Sequence, residues 1–435
     1  MSPETIGILG IVALFALMIL RTPVAFAMLA VGYGGMYLLQ GARAASAVMV
    51  TQSYQAVSNY DLIVVPMFVL LGNVASQAGF SRALYDAAFA WVGRFRGGLA
   101  SSSVLGCAVF SAVSGSSVAT AVTIGKVAIP EMKRLGYGDG LSTGAIAAGG
   151  TLGFLIPPST GFVLYAILTQ QSVGRLFMAG ILPGLLLMGL FMATVATIAT
   201  LNPAAGPRGA QVGLRDRMVL FGRSAPLLGI IALSIGGIYA GIFTPVEASA
   251  IGAGLIILLA FALRSLSLRG FSSALIETVR TSAMLYMVVI GADVLNPFLA
   301  VTHIPDALGT ALTGAGLGPY GTLALIILGY VVLGMFLDSL SMLVVTIPIV
   351  FPIIQTLGFD PIWFGVVAVI VVEMGLITPP VGLNVFVVKG VAPEVPMMTI
   401  FRGVTPFLMS MIVGLLLIIA FPAIATFIPN SMFGH

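Results

Sequence analysis

The sequence predicts an all-α polytopic membrane protein built from two inverted repeats, and three observations support this prediction. The composition is 59% hydrophobic and 7% charged, whereas soluble domains are typically about 25% charged. A segment of the first half recurs in the second half at a constant offset, which aligns Ser117 with Ser339 and Gly153 with Gly375. Each copy interrupts apolar sequence at two polar or helix-breaking points. Lipid tolerates such breaks only where the freed backbone groups line a cavity or bind something.

The composition also limits the class of protein and its chemistry. With about 20 apolar residues per crossing, 435 residues provide about a dozen membrane segments and leave no room for a soluble catalytic domain. The net charge of +4 fits basic residues on cytoplasmic loops, so no nucleic-acid partner is expected. The single cysteine, Cys107, excludes an intrachain disulfide and a cysteine-based metal cluster. His303 and His435, the two histidines, do not make a metal site by themselves.

The remaining apolar runs are expected to be helices that surround the repeats. Residues 4–20 are predicted to be a membrane helix rather than a signal peptide, because no Lys or Arg precedes the run and no small-residue cleavage site is evident. Residues 203–223 carry four arginines and are predicted to be a cytoplasmic linker. A final helix is expected at about 404–427.

The first repeat contains a predicted re-entrant hairpin at residues 99–131. Its two apolar arms are each too short to span a membrane comfortably, and its tip is Ser114-Gly115-Ser116-Ser117. Arg94 and Arg96 precede the hairpin, while Lys133 and Arg134 follow it. Since positive residues favour the cytoplasmic side, both ends are predicted to lie there.

The matching hairpin of the second repeat is predicted at residues 323–357, with its tip at Asp338-Ser339-Leu340-Ser341. The flanks of this hairpin contain no Lys or Arg, which favours the opposite face of the membrane. The two halves are therefore predicted to be inverted repeats, an arrangement that lets one site face either side.

A broken helix follows each hairpin, at residues 141–170 and 363–391. The breaks are Gly-Phe-Leu-Ile-Pro-Pro at 153–158 and Gly-Leu-Ile-Thr-Pro-Pro at 375–380. Proline removes a backbone donor and clashes with the preceding turn. Two successive prolines therefore predict an unwound segment with free carbonyl groups in each repeat.

Hydroxyl, carboxylate and carbonyl oxygens at the tips and breaks are the donors that a dehydrated hard cation prefers. Two cation sites are therefore expected, one in each repeat. The alternative is that the small residues only allow close helix packing. The first site comprises Ser111, Ser114, Ser116, Gly153, Ile156 and Pro158; the second comprises Asp338, Ser341, Gly375, Thr378 and Pro380.

An anionic substrate is expected beside these sites, because half-helix N-termini carry partial positive charge and free N–H groups. The alternative for the hydroxyls that follow the prolines is N-capping of the second half-helix. Glu373 is open to two interpretations, as a functional carboxylate and as a packing partner. Glu247 is expected to cap a helix or to join two helices. The predicted substrate-binding residues are Ser117, Ser159, Thr160, Ser339 and Asn384.

At these motifs the sequence resembles the large membrane subunit of tripartite ATP-independent periplasmic (TRAP) transporters, the DctM/SiaM family. The matching stretches include Phe110–Ala121, Gly149–Ser159, Gly241–Ala248, Gly334–Asp338 and Ile377–Asn384. The resemblance implies a multi-pass protein of the bacterial inner membrane that takes up an organic acid, such as a C4-dicarboxylate or a sialic acid, with two or more sodium ions. It also implies a small four-helix membrane subunit and a soluble periplasmic substrate-binding protein as partners.

The resemblance further implies an elevator-type transport domain that moves against a scaffold. Residues 99–175 and 321–400 would form the two repeats of the transport domain. Scaffold helices would occupy residues 1–98 and 176–320, and a C-terminal helix would occupy residues 401–435.

Three other functions are compatible with parts of the pattern. A stand-alone dicarboxylate or citrate symporter would show similar repeats. A channel would need a continuous pore lined by polar rings, whereas two closed re-entrant sites favour occlusion. An intramembrane enzyme is disfavoured, because serines and Asp338 without a nearby His or Lys base form a weak nucleophile set.

Overall fold

The computed structural model describes residues 2–209, 212–314 and 316–433, and the described chain is helical without β-sheet. The helices of the first half are α1 (Pro3–Ile19), α2 (Val24–Gln40), α3 (Ala42–Ser58), α4 (Val64–Gln77), α5 (Phe80–Val92), α6 (Gly98–Ser114), α7 (Ser117–Arg134), α8 (Asp139–Thr151), α9 (Thr160–Thr169) and α10 (Val173–Leu201). Those of the second half are α11 (Leu214–Tyr239), α12 (Pro245–Ala262), α13 (Leu268–Val301), α14 (Ile304–Gly314), α15 (Gly318–Gly334), α16 (Ser339–Thr356), α17 (Pro361–Gly375), α18 (Leu383–Val391), α19 (Met397–Ala420) and α20 (Ala423–Phe433).

The repeat extends over nearly the whole chain rather than over the hairpins and breaks alone. The offset that aligns Ser117 with Ser339 also brings α1 and α2 into register with α11 and α12. The single 34-residue helix α13 then corresponds to α3 and α4 together, and α10 corresponds to α19. The predicted fold class, with a hairpin and a broken helix in each repeat, is confirmed.

Two contacts show that the repeats run in opposite directions. Tyr165, near the end of the first broken helix, donates a hydrogen bond to the carbonyl of Pro361 at the start of the second (2.7 Å). Glu394, just after the second broken helix, pairs with Lys133 at the base of the first hairpin (2.8 Å). The end of one broken helix therefore lies beside the start of the other, as inversion requires.

The hairpins turn where the sequence supplies a cap and a flexible residue. Gly115 ends α6 with a φ of 60°, a left-handed conformation that glycine adopts at no steric cost. Ser116 then caps α7, its hydroxyl accepting the N–H of Ala119 (3.4 Å). In the second hairpin Asp338 caps α16 by accepting the N–H of Ser341 (3.1 Å). These caps satisfy donors that a helix start leaves free.

The broken helices form the centre of the molecule. Helix α8 ends at Thr151 and α9 starts at Thr160, with an unwound segment between them that contains the cis bond Pro157-Pro158. Helices α17 and α18 flank the equivalent cis bond, Pro379-Pro380. Helix α17 is buried from Ile362 to Gly375, in keeping with a sequence that is apolar on every side except at Glu373.

Helix α19 packs against α8 with almost no space between the backbones. A Cβ added to Gly403 of α19 would lie 2.0 Å from the carbonyl oxygen of Gly140. A Cβ added to Gly144, one turn along α8, would lie 2.3 Å from the carbonyl oxygen of Gly403. Small residues that let helices approach this closely are typical of membrane interfaces.

Several helices have the length and hydropathy of membrane spans. Seven of the described helices are long and apolar enough to cross a membrane. Helix α11 begins at Leu214, inside the predicted linker 203–223, with Asp216 in its first turn, where an acidic residue favours the helix start. Ala210 and Gln211 of that linker lie outside the described residues. The predicted C-terminal segment contains two helices, α19 and α20, and the predicted region 401–435 ends in two residues that are not described.

Candidate cation and substrate site

One cavity of about 980 Å³ lies between the two hairpin tips and the outer helices. Ser114, Ser116 and Ser117 of the first tip line one part of its wall, and Asp338, Ser339 and Ser341 of the second tip line another. The opposite wall comes from the start of α2 and from faces of α4 and α13. Two segments far apart in sequence therefore meet at one chamber, where their polar side chains lie within a largely apolar lining.

The first predicted cation site is tightly assembled. The hydroxyl oxygens of Ser114 and Thr120 lie 2.7 Å apart, and the Ser114 hydroxyl lies 3.5 Å from the carbonyl oxygen of Ser116. A Cβ on Gly153 would lie 2.5 Å from that same carbonyl oxygen, so only glycine allows the break to approach the tip. Hydroxyl and carbonyl oxygens thus converge, as a hard cation requires.

A small space adjoins this cluster. Its volume is about 10 Å³, and Ser114, Gly115, Pro158, Ser159 and Thr160 are among its lining residues. That volume is close to the minimum of roughly 10–15 Å³ that holds one water molecule. The carbonyl of Pro158 faces the tip here, 2.7 Å from the position of a Cβ on Gly115.

Two residues predicted for the first site have side chains that make other contacts, although Ile156 is expected to contribute its backbone carbonyl rather than its side chain. The Ser111 hydroxyl donates to the carbonyl of Cys107 in its own helix (2.6 Å). The side chain of Ile156 packs towards Gly184 of α10. Thr120, which sequence reasoning missed, is better placed, since its hydroxyl bonds that of Ser114.

The second predicted site is more open than the first. One oxygen of the Asp338 carboxylate accepts the Ser341 N–H at 3.1 Å, and the other accepts the Ser341 hydroxyl. Gly375 packs against Gly334, where a Cβ would lie 2.6 Å from the Gly334 Cα. The Thr378 hydroxyl donates to the carbonyl of Met374 (2.6 Å), and Pro380 is exposed. The structure thus joins Asp338 to Ser341 but leaves the second break uncovered on one side.

Three of the five predicted substrate residues line the cavity, namely Ser117, Thr160 and Ser339. Ser159 instead caps α9, accepting the N–H of Phe162 (3.3 Å) and donating to the carbonyl of Phe154 (2.5 Å). Asn384 is fully buried, is not among the cavity-lining residues, and its amide oxygen and nitrogen have no hydrogen-bond partner. N-capping of α9 therefore describes the role of Ser159 better than substrate binding does.

The opposite wall contributes polar residues that sequence reasoning did not assign to the site. Arg21 in the turn after α1, Asn73 of α4 and Glu277 of α13 all line the cavity. Asn73 also donates to the Thr278 hydroxyl (3.0 Å), which joins α4 to α13. A signal for Asn73 was available, because it is an amide in the middle of an apolar run.

Glu247 lies apart from this chamber. Its carboxylate accepts the N–H of Thr244 (2.8 Å), while its own N–H donates to the Thr244 hydroxyl (3.3 Å). This reciprocal pair is a capping box at the start of α12. The capping expectation for Glu247 is confirmed.

Comparison with known proteins places this architecture in one family. The family described as "Tripartite ATP-independent periplasmic transporter, DctM component" matches residues 11–424. The C4-dicarboxylate TRAP transporter large permease protein DctM of Pseudomonas aeruginosa is 36% identical over 378 residues, covering 87% of this chain and 88% of the relative. The sialic acid TRAP transporter large permease protein SiaM of Vibrio cholerae is 32% identical over 391 residues, covering 88% and 90%.

Two further comparisons extend the match. The ectoine TRAP transporter large permease protein TeaC of Halomonas elongata is 30% identical over 424 residues, covering 97% of this chain and 99% of the relative. The crystal structure of the Alcanivorax borkumensis YdaH transporter has the same fold, with a TM-score of 0.63, 17% identity and coverage of 88% and 90%. This chain therefore belongs to the DctM family and is the large membrane permease subunit of a tripartite ATP-independent periplasmic transporter, not an enzyme.

Proposed function

We propose that this permease carries a small organic acid across the bacterial inner membrane together with two or more sodium ions. The observation that supports the proposal best is the single cavity at which both hairpin tips meet. One sodium ion would bind at Ser114, Ser116, Thr120 and the carbonyl groups near Gly153 and Pro158. Another would bind at Asp338 and Ser341 beside the break that contains Gly375 and Thr378. The sodium gradient would drive uptake in this mechanism, so no soluble ATP-hydrolysing domain is needed.

The substrate would lie in the cavity between the two sodium sites. Ser117 and Ser339 begin α7 and α16, and helix N-termini attract carboxylates. Arg21 on the facing wall provides a further positive group, and guanidinium groups bind carboxylates in a two-pronged geometry. Relatives are named for C4-dicarboxylates, sialic acid and ectoine, which bear a carboxylate, and one is named for isethionate, which bears a sulfonate, so all of these named substrates carry an acidic group.

The cavity walls also support an elevator-type movement. One wall consists of hairpin tips that belong to the inner, buried part of the molecule, and the other of helices α2, α4 and α13. Sliding the hairpins and broken helices along this outer wall would carry the bound substrate from one side of the membrane to the other. The small four-helix membrane subunit would associate with the outer helices, and a soluble periplasmic binding protein would deliver the substrate.

Uptake into proteoliposomes tests the proposal. The chain is reconstituted with its cognate small subunit, and its binding protein is supplied outside with succinate, N-acetylneuraminate or ectoine as probes. Accumulation of one probe that requires an inward sodium gradient and both partners is the expected result. Uptake by this chain alone would instead identify a stand-alone symporter, and substrate-independent conductance would identify a channel.

A further inference from the structure

Glu373 of α17 is buried between the two hairpin tips with an incomplete set of partners. Its side chain is 1% exposed. One carboxylate oxygen accepts the hydroxyl of Ser339 at the second tip (2.9 Å). The other oxygen has no hydrogen-bond partner, and neither does the hydroxyl of Ser117 at the first tip, although that hydroxyl lies within range of the same carboxyl group.

The two serines are equivalent in the repeat, so the carboxyl group lies where the two halves of the molecule meet. Ser117 and Ser339 are the first residues of α7 and α16, and both also line the cavity. An oxygen cluster made from one carboxylate and two hydroxyls is thus shared between the repeats. Its two serines border the proposed substrate position, whereas the buried Glu373 is not among the cavity-lining residues.

An ionised Glu373 would need a compensating positive charge once an anion binds beside it. An ionised side chain inside a membrane protein is expensive unless it is paired. A substrate carboxylate docked at Ser117 and Ser339 would add a second negative charge beside it. Two negative charges held close together in a low-dielectric site repel strongly. A cation bound between them would offset this repulsion.

We propose that Glu373, Ser117 and Ser339 hold a further sodium ion and that the carboxylate of the bound substrate completes its coordination. This inference rests on the proposed function and adds an ion to it. The two sites described above each belong to one repeat, whereas this one needs both tips and the substrate at once. Substrate and ion would then each bind tightly only when the other is present, which makes their transport obligatorily coupled.

The repeat itself provides a matched control. Thr151 occupies the position of Glu373 in the first repeat, and its hydroxyl donates to the carbonyl of Ala148 in its own helix (2.6 Å). Thr151→Val keeps the side-chain shape and removes only this local bond. Glu373→Gln keeps the shape of its residue and removes the charge that the cation needs.

The number of sodium ions coupled to each substrate is measured from the membrane potential at which uptake into proteoliposomes reverses. We expect Glu373→Gln to transport with one sodium ion fewer than the wild type, or to need about 10- to 100-fold more sodium, the usual loss when support of a metal site is removed. Thr151→Val should match the wild type in both measurements. A Glu373→Gln variant with the wild-type ion count and sodium dependence would overturn the inference.

A binding measurement keeps the inference testable if Glu373→Gln does not transport. Radioactive sodium bound to the purified, monodisperse complex is measured with and without saturating substrate from the probe panel. Substrate should increase bound sodium in the wild type and in Thr151→Val but not in Glu373→Gln. An equal increase in all three, or substrate-driven proton entry that only Glu373→Gln abolishes, would refute the sodium assignment.

The two proposals fail in different ways. Wild-type uptake that ignores the sodium gradient would refute the proposed function as a whole. Sodium-driven wild-type uptake together with a normal Glu373→Gln variant would refute only the additional site.

Discussion

The carbonyl oxygen of Gly115 accepts two hydrogen bonds from Thr160, one from the backbone N–H at 3.2 Å and one from the hydroxyl at 2.8 Å. These bonds fasten the first hairpin tip to the start of α9. In the second repeat the equivalent positions are Leu337 and Gly382, and no corresponding bond joins them in the part of the chain that the structure describes. The first tip is therefore attached to the second half of its broken helix, whereas the second tip is attached to the first half of its own through the bond from Ser339 to Glu373.

Removing the Thr160 hydroxyl should weaken sodium binding at the first site. Thr160→Val keeps the side-chain shape but loses the bond to Gly115, which typically contributes about 1 kcal/mol. We expect the sodium concentration for half-maximal uptake to rise roughly fivefold, since about 1.4 kcal/mol corresponds to tenfold. Thr169→Val is the control, because that hydroxyl bonds its own helix at the carbonyl of Tyr165 (2.7 Å). Equal sodium dependence in both variants would contradict the prediction.

Thr120 should prove to be a sodium ligand. Thr120→Val removes the hydroxyl that lies beside that of Ser114 and should abolish sodium-stimulated uptake while leaving membrane insertion intact. Thr143→Val, which removes a hydroxyl bonded to the carbonyl of Asp139 in α8 (2.6 Å), should transport normally. The measurement is the initial rate of uptake as a function of external sodium. A Thr120→Val protein with wild-type sodium dependence would exclude this residue from the site.

Asp338 and Ser114 each belong to one of the proposed sodium sites. Asp338→Ala and Ser114→Ala are both expected to abolish sodium-dependent uptake, because each removes an oxygen that the ion needs in place of its water. Folding is checked by the elution profile of the purified complex in detergent. Normal uptake by both variants would refute the assignment of the two sites.

Gly153→Ala should block transport by separating the first tip from its break. The added methyl group would lie 2.5 Å from the carbonyl oxygen of Ser116, and overpacking of this kind costs about 1–3 kcal/mol. Gly189→Ala in α10 is the matched control, because a Cβ there has no neighbour within 4 Å. Thermal unfolding and substrate uptake are measured for both variants. A Gly153→Ala protein that is as stable and as active as Gly189→Ala would show that the close approach is unnecessary.

The ion pair between Lys133 and Glu394 should make a small, pH-dependent contribution to stability. The hydrogen bond from Lys133 lowers the pKa of Glu394, and the bond to Glu394 raises the pKa of Lys133. The contribution is therefore present between the ordinary values of 4.5 and 10.5. It is lost as the pH falls through the lowered pKa of Glu394 or rises through the raised pKa of Lys133.

The pair is exposed to solvent, so its effect is also screened by salt. Lys133→Met should lower the melting temperature slightly at neutral pH and low salt, and the difference from the wild type should vanish in acid. A difference that grows as the pH falls below 4.5 would contradict this sign.

The hairpins and helix breaks that form the site could be predicted from the sequence, whereas several of the residues that line it could not. Pro157-Pro158 and Pro379-Pro380 dictate the breaks locally, because proline cannot continue a helix in either repeat. Thr120 was missed because its equivalent in the second repeat is the apolar Met342, so symmetry did not mark it. The sequence did not reveal that the Ser111 hydroxyl donates to an acceptor one turn back in its own helix, as buried serines often do, and its role as a ligand stays a prediction. Arg21 and Glu277 reach the cavity only through tertiary packing.

The near-contact of Gly140 and Gly403 determines which helices can shift together. A Cβ added at Gly403 would lie only 2.0 Å from the Gly140 carbonyl oxygen, so the two backbones are in close contact and leave no room for a side chain between them. Helix α19 would therefore move with α8 as part of one rigid body, although its sequence resembles that of a peripheral membrane span. In the elevator-type movement proposed above, the sliding interface would then lie outside α19, and the C-terminal part of the chain would belong to the moving side.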